Sequence, residues 1–203
     1  MRCWVSSENG SEQIRAQLQS SADTILALDL QVEGIARSAA LLIATLRQGG
    51  AVLTAGNGGS AAEAMHMAEE LTGRFRSNRR SLPGISLNAD GTLLTCIGND
   101  FGFDAIFSRQ IEGLGRSGDV LVLFSTSGHA RNLRKALEVA KSRNMRVIGL
   151  LGRDGGNLAG ASDIEILVQG PSTERIQEAQ QVVMHIWLQA IEEAFPATIK
   201  EST

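Results

Sequence analysis

The chain has two cysteines, three histidines and no apolar run reaching the roughly 18 residues that a membrane-spanning helix needs. Cys3 and Cys96 are too few for a disulfide framework or for a zinc site made only of thiolates. Cys96 is therefore expected to be a small, buried apolar residue. A formal charge of -3 gives no electrostatic case for nucleic-acid or membrane binding. The opening Met1-Arg-Cys-Trp-Val-Ser-Ser-Glu8 lacks the apolar stretch of a secretory signal, so a cytoplasmic protein is expected. No internal repeat or low-complexity segment is present. What is there is ordinary for a globular protein: 43% hydrophobic and 20% charged residues in a length of 203, enough for one sizeable core.

Residues 1–10 read as a loose tail, 11–196 as one domain and 197–203 as a second tail. Ile14, Leu18, Ile25 and Leu28 form one helical stripe. A second helical run, Glu33 to Arg47, stops at Gln48-Gly49-Gly50. Both precede the first strand and are expected to cap the domain or to pack on another subunit. The chain then alternates. Strands are expected at Ala51–Ala55, Gly84–Asn88, Asp119–Phe124, Arg146–Leu151 and Ile164–Val168. Helices are expected at Ser60–Arg74, Phe103–Leu114, Asn132–Arg143 and Glu174–Phe195, the last stopped by Pro196. Thr92–Ile97 is a short apolar piece, either a helical turn or extended. This alternation predicts an α/β, three-layer αβα sandwich around a mostly parallel sheet. Such a fold places its ligand site at the carboxyl ends of the strands.

Two turns lie at those ends. Gly56-Asn57-Gly58-Gly59-Ser60 follows a strand and opens a helix, so the backbone can approach an anion at a helix N-terminus. It is neither G-x-G-x-x-G nor a P-loop, because no Lys-Ser/Thr pair follows. Without a ligand the same residues make a tight turn capped by Ser60. Ser125-Thr126-Ser127-Gly128 offers three uncharged hydroxyls at the equivalent place, suited to a phosphate monoester or to capping a helix. Together they point to a small phosphorylated ligand.

The helix after the first turn carries His66 and Glu70 at i and i+4, on one face as two ligands of one ion must be. Spacing alone does not separate Glu70 from Glu63 or Glu69, nor a metal site from an exposed ion pair. His185 lies at the core boundary of the last helix, where a lone histidine is also a satisfied core residue. Arg74, Arg76, Arg79 and Arg80 read as a solvated basic loop, His129 as an exposed residue or phosphate donor, and Phe101 and Phe103 as core or loop anchors.

Five ordered motifs resemble the phosphoheptose isomerases of the sugar isomerase (SIS) superfamily. They are Gly56–Ser60, His66-Met-Ala-Glu-Glu70-Leu-Thr-Gly-Arg74, Gly98-Asn-Asp-Phe-Gly102, Ser125–Gly128 and Arg175-Ile-Gln-Glu178. The resemblance implies a flavodoxin-like sheet, a cytoplasmic homotetramer with active sites between subunits, and isomerisation of sedoheptulose 7-phosphate toward ADP-heptose. By motif match it implies zinc on His66, Glu70, Gln177 and His185, with Glu70 and His185 transferring the proton. Substrate contacts fall at Asn57, Gly58, Gly59, Ser60, Glu70, Asn99, Asp100, Ser125, Thr126, Ser127 and Gln177. Two positions depart from the family pattern: Ala130 stands where a phosphate-binding serine is usual, and Glu174 where an aspartate is. A non-catalytic SIS protein and an isomerase of another sugar phosphate remain alternatives. Gln177 and His185 are eight residues apart, about 12 Å along a helix, which makes shared ligation of one ion strained.

Overall fold

A computed structural model describes residues 8–197. Helices α1 (Glu8–Leu26) and α2 (Val32–Arg47), joined by a 3-10 turn at Ala27–Gln31, precede the sheet. Then follow β1 (Val52–Gly56), α3 (Gly59–Thr72), β2 (Gly84–Ser86), α4 (Gly91–Phe101), α5 (Ser108–Leu114) and β3 (Val120–Ser125). The chain closes with α6 (Arg131–Ser142), β4 (Arg146–Gly152), β5 (Ile164–Val168) and α7 (Thr173–Ala194).

The five strands are all parallel in the order β2-β1-β3-β4-β5. This is the doubly wound, flavodoxin-like arrangement, in which strand order reverses between β1 and β3 and opens a crevice at their carboxyl ends. The central strand Val-Leu-Val-Leu-Phe-Ser is buried throughout, as a parallel strand covered on both faces must be. Its alternate side chains feed two separate cores. Val120, Val122 and Phe124 join α2, α3 and α7 on one face. Leu121 and Leu123 join α4, α5 and α6 on the other.

Several local expectations need correction. Residues 8–10 begin α1 instead of belonging to the tail; residues 1–7 and 198–203 of the two expected tails lie outside the described residues. The first helical stripe is covered only at its end: Ile25 packs against the core and Leu28, in the 3-10 turn, is buried, whereas Ile14 and Leu18 are exposed. Thr92–Ile97 belongs to a full helix, α4, started by Asp90, whose carboxylate accepts from the Leu93 amide at 3.0 Å. Phe103–Leu114 is not one helix; a 3-10 turn at Phe103–Ala105 lets Ile106 and Phe107 plunge into the core before α5 begins. Phe101 and Phe103 are exposed rather than core anchors, and Cys96 is exposed as well. No helix among the described residues is long and apolar enough to cross a membrane.

Candidate active site

The register of β1 on β3 pairs Gly56 with Phe124, so the two turns leave the sheet side by side. Asn88, just after β2, brackets Gly56: its Oδ1 accepts from the Gly56 amide at 3.1 Å and its Nδ2 donates to the Gly56 carbonyl at 2.9 Å. Gly58 takes φ +58, a left-handed conformation that favours glycine, and precedes α3 with no side-chain cap. Ser60 is therefore not the cap; it is buried in the first turn of α3. A second amide locks the turns to each other. Asn57 Nδ2 donates to Asn132 Oδ1 and Asn132 Nδ2 donates to Asn57 Oδ1, both at 2.9 Å. Asn132, on α6, is buried.

In the second turn the Ser125 hydroxyl accepts from the Gly128 amide at 2.9 Å, and the Ser127 hydroxyl from His129 at 3.4 Å. A small cavity of about 90 Å³ separates the turns, lined by Asn57, Ser60, Ser125, Thr126, Ser127 and Ala130. Ala130 is the residue preceding α6 and gives it no side-chain cap, so hydroxyls reach this cavity only from the turn and from Ser60. Next to it lies a larger cavity of about 470 Å³, bounded by Asn57, Gly58, Asn88, Thr95, Gly98 and Phe103, within the size range of small-molecule sites. Asn99 and Asp100 are exposed at the end of α4, where Asn99 Nδ2 donates to Asp100 Oδ1 at 2.7 Å; they line neither cavity. His129 is exposed, and Arg131 turns away to Asp104.

Further along α3, His66 Nε2 lies 3.2 Å from Glu70 Oε1. His185 of α7 comes in with its ring edge-on to His66, centroids 5.4 Å apart, and stacks on Phe75. The amide between the two imidazoles is Gln181, not Gln177: Gln181 Nε2 is 2.6 Å from His66 Nδ1 and 3.3 Å from His185 Nε2. Gln177 instead lies over the first turn, so close that a methyl group added to Gly59 would stand 2.2 Å from its Nε2. Glu69 adds an exposed carboxylate, with ligand atoms of His66, Glu69 and Glu70 all within 4.8 Å of one another. Among the described residues this is the single grouping of three such side chains. One imidazole nitrogen and carboxylate oxygens at these separations are donor types that suit zinc, and His185 stands outside this grouping of three. Burial, and then the neighbouring His66 and Arg76, push the His185 pKa down against the opposing pull of Glu70, which favours the neutral, lone-pair form.

Arg79 explains why α3 and α7 face each other in this register. It is buried, not part of a solvated loop. Its Nη2 donates to the Glu70 carbonyl at 2.6 Å and its Nη1 to the Leu71 carbonyl at 2.9 Å, capping the end of α3. Its Nε pairs with Glu192 of α7 at 3.2 Å. Arg175, at the other end of α7, donates from Nη1 to the Gln17 carbonyl of α1 at 2.9 Å. Glu63 shares the helix face of His66 and Glu70 by its spacing of three and seven residues from them. It is buried on α3, and both carboxylate oxygens lack a hydrogen-bond partner, since the Ser60 hydroxyl one turn back does not reach bonding geometry. Burial pushes its pKa up to about 7, with Ser60 offsetting only part of the rise. Glu174 is exposed at the start of α7, and the Ser172 hydroxyl holds its pKa below the usual range.

A parallel five-stranded sheet with glycine- and hydroxyl-rich turns at its switch point matches the SIS domain family, whose model aligns with residues 17–152. The chain is 49% identical over 183 residues to the phosphoheptose isomerase of Yersinia pestis (strain Pestoides F), covering 88% of this chain and 94% of that one. The fold superposes on phosphoheptose isomerase GmhA from Neisseria gonorrhoeae with a TM-score of 0.84 at 39% identity, over 90% of this chain and 98% of that one. A phosphoheptose isomerase from Francisella tularensis gives 0.86 at 33% identity, over 90% and 97%. The chain belongs to the phosphoheptose isomerase family.

Sequence reasoning missed Asn88, Asn132, Gln181 and Arg79 as parts of this site. Asn132 and Gln181 meet their partners 75 and 115 residues away, and no local pattern announces such a contact.

Proposed function

We propose that the chain is an aldose–ketose isomerase that converts sedoheptulose 7-phosphate into D-glycero-D-manno-heptose 7-phosphate, feeding the ADP-heptose of lipopolysaccharide core or other heptosylated glycans. The observation that carries this reading is the meeting of Glu70, His66 and His185 beside two anion-type turns, in a chain about half identical to named phosphoheptose isomerases. Ser125, Thr126 and Ser127, with the N-terminus of α3, hold the phosphate between the turns. Asn57, Gly58, Gly59, Ser60 and Gln177 line the near side, and Asn99 and Asp100, which lie outside both cavities, would meet substrate only at a neighbouring subunit's site. His66 is seven residues beyond Gly59, about 10 Å along the helix axis, so a seven-carbon chain anchored at the turns brings its carbonyl end to the imidazoles.

Isomerisation moves a proton between C1 and C2 through an enediol. A carboxylate and a neutral imidazole are suited to remove and return it, because both can be tuned toward neutral pKa values. Glu70 and His185 hold these roles. His66, Glu70 and His185 are the residues that would hold zinc, which when bound polarises the carbonyl oxygen and stabilises negative charge on it. Gln177 joins them only by leaving Gly59; against Gly59 it serves the substrate turn.

The working unit is a cytoplasmic homotetramer with active sites between subunits. Support comes from Leu18, Leu26, Leu30, Val32 and Ile186, exposed on α1, α2, α7 and the connection between α1 and α2. An apolar groove of about 560 Å³ runs between Val32, Ile35, Ala39, Ala40, Ile43 and Ile186. Contiguous apolar surface of this kind marks an interaction face. The purified protein incubated with sedoheptulose 7-phosphate is expected to give the aldose signal by NMR and to lose that activity on chelation. Absence of turnover with every divalent metal would sink the isomerase reading, and turnover after thorough chelation would discard the metal.

A further inference from the structure

The two ring nitrogens of His66 have different partners on different helices. Nε2 faces Glu70 Oε1 at 3.2 Å on its own helix, and Nδ1 faces the Gln181 amide of α7 at 2.6 Å. The same amide nitrogen lies 3.3 Å from His185 Nε2. As placed, the amide group offers two N–H donors to two imidazole lone pairs. That arrangement puts the His66 proton on Nε2, where it is donated to Glu70. Both His66 nitrogens and His185 Nε2 then have a hydrogen-bond partner.

A cation shared by His66 and Glu70 requires the opposite arrangement. An imidazole binds a metal through a nitrogen with a free lone pair, so the single ring proton must move from Nε2 to Nδ1. The Nδ1–H then needs an acceptor, and Gln181 stands there. Rotation of its terminal amide by half a turn replaces N–H with C=O at the same place, and an amide can present either group. We infer that Gln181 is a positioning residue whose amide reverses between donor and acceptor, satisfying His66 in both the free and metal-loaded states. This rests on the metal reading above, but the tautomer it dictates in the metal-free protein does not. The residue is specific to the helix turn before His185 and is separate from Gln177, which the structure keeps at Gly59.

The test uses the full-length protein and its Gln181→Leu and Gln181→Glu variants. Nitrogen-15 NMR of the metal-free wild type at neutral pH is expected to show His66 protonated on Nε2. Gln181→Glu, which can only accept at that position when ionised, is expected to move the proton to Nδ1, and Gln181→Leu to leave it on Nε2, where Glu70 still accepts it. Zinc affinity, read by competition with a chromophoric chelator, is expected to fall tenfold or more in Gln181→Leu and to be kept or raised in Gln181→Glu. An unchanged tautomer across the three proteins overturns the inference. Wild-type protein that binds no zinc but shows the expected tautomers instead overturns the metal reading and leaves the amide's role in the free state standing. Equal zinc affinity in wild type and Gln181→Leu overturns its role in loading.

Discussion

Glu63 gives the most quantitative prediction. The residue is 6% exposed, its carboxylate oxygens have no hydrogen-bond partner, and burial pushes its pKa from the ordinary 4.5 up to about 7. A folded-state pKa raised above the unfolded one means that the folded chain binds this proton more tightly. Below pH 4.5 both states hold it and the group carries no ionisation penalty. Between pH 4.5 and about 7 the unfolded chain releases it first, so stability falls as pH rises, by roughly 1.4 kcal/mol per pH unit. Above pH 7 the loss is complete at about 3 kcal/mol, an upper value because a buried charge also attracts water. Glu63→Gln removes the titration and keeps the shape. Its own desolvation cost does not vary with pH, so the comparison is the change in the mutant-minus-wild-type difference between pH 5 and pH 8. Urea unfolding at the two pH values is expected to show the variant gaining about 2–3 kcal/mol on the wild type toward high pH. For a chain of this size that is roughly 5–10 °C in midpoint temperature. A difference that stays constant from pH 5 to 8 would refute the reasoning and mean that Glu63 finds a partner for its charge.

Other expectations follow from single contacts. Gly59→Ala must displace the Gln177 amide, the far end of a flexible side chain, so midpoint temperature is expected to move little while KM rises or kcat falls at least tenfold by steady-state kinetics. Arg79→Met takes the cation from Glu192, leaving it the Ser77 amide alone, and uncaps α3, with an expected loss of about 3–5 kcal/mol by urea unfolding. Asn132→Ala leaves the Asn57 amide without its partner and loosens the spacing of the turns. Its effect is expected mainly in KM, with inorganic phosphate a weaker inhibitor than for the wild type.

The parts of this fold that could be read in advance are those in which neighbouring residues carry the information. The run Val120–Phe124 announces a strand covered on both faces, and His66 and Glu70 share a helix face because 3.6 residues make a turn. The glycines and serines at strand ends marked the two turns correctly, since only backbone position was required of them. Partnership across the chain was not legible. Arg79 reads as one of four arginines in a polar loop, yet it alone is buried, because its acceptors are the α3 carbonyls and Glu192 at the far end of the chain. Gln177 and Gln181 are one helical turn apart and chemically identical. Which of them meets the imidazoles depends on how α7 is rotated against α3, a matter of packing between helices and not of either sequence. Cys96 and Phe101 were misjudged for a related reason. α4 buries Ile97 and leaves most of its other residues uncovered, so apolar character did not mean burial.

The central claim is that Glu70 and His185 exchange the substrate proton beside the paired turns. It is tested most directly by incubating sedoheptulose 7-phosphate in deuterium oxide with wild type, Glu70→Gln and His185→Asn, and following deuterium entry at C1 and C2 by NMR. Wild type is expected to incorporate deuterium alongside aldose formation, and each variant to lose both while retaining the wild-type fold. Near-normal incorporation by either variant would contradict the account.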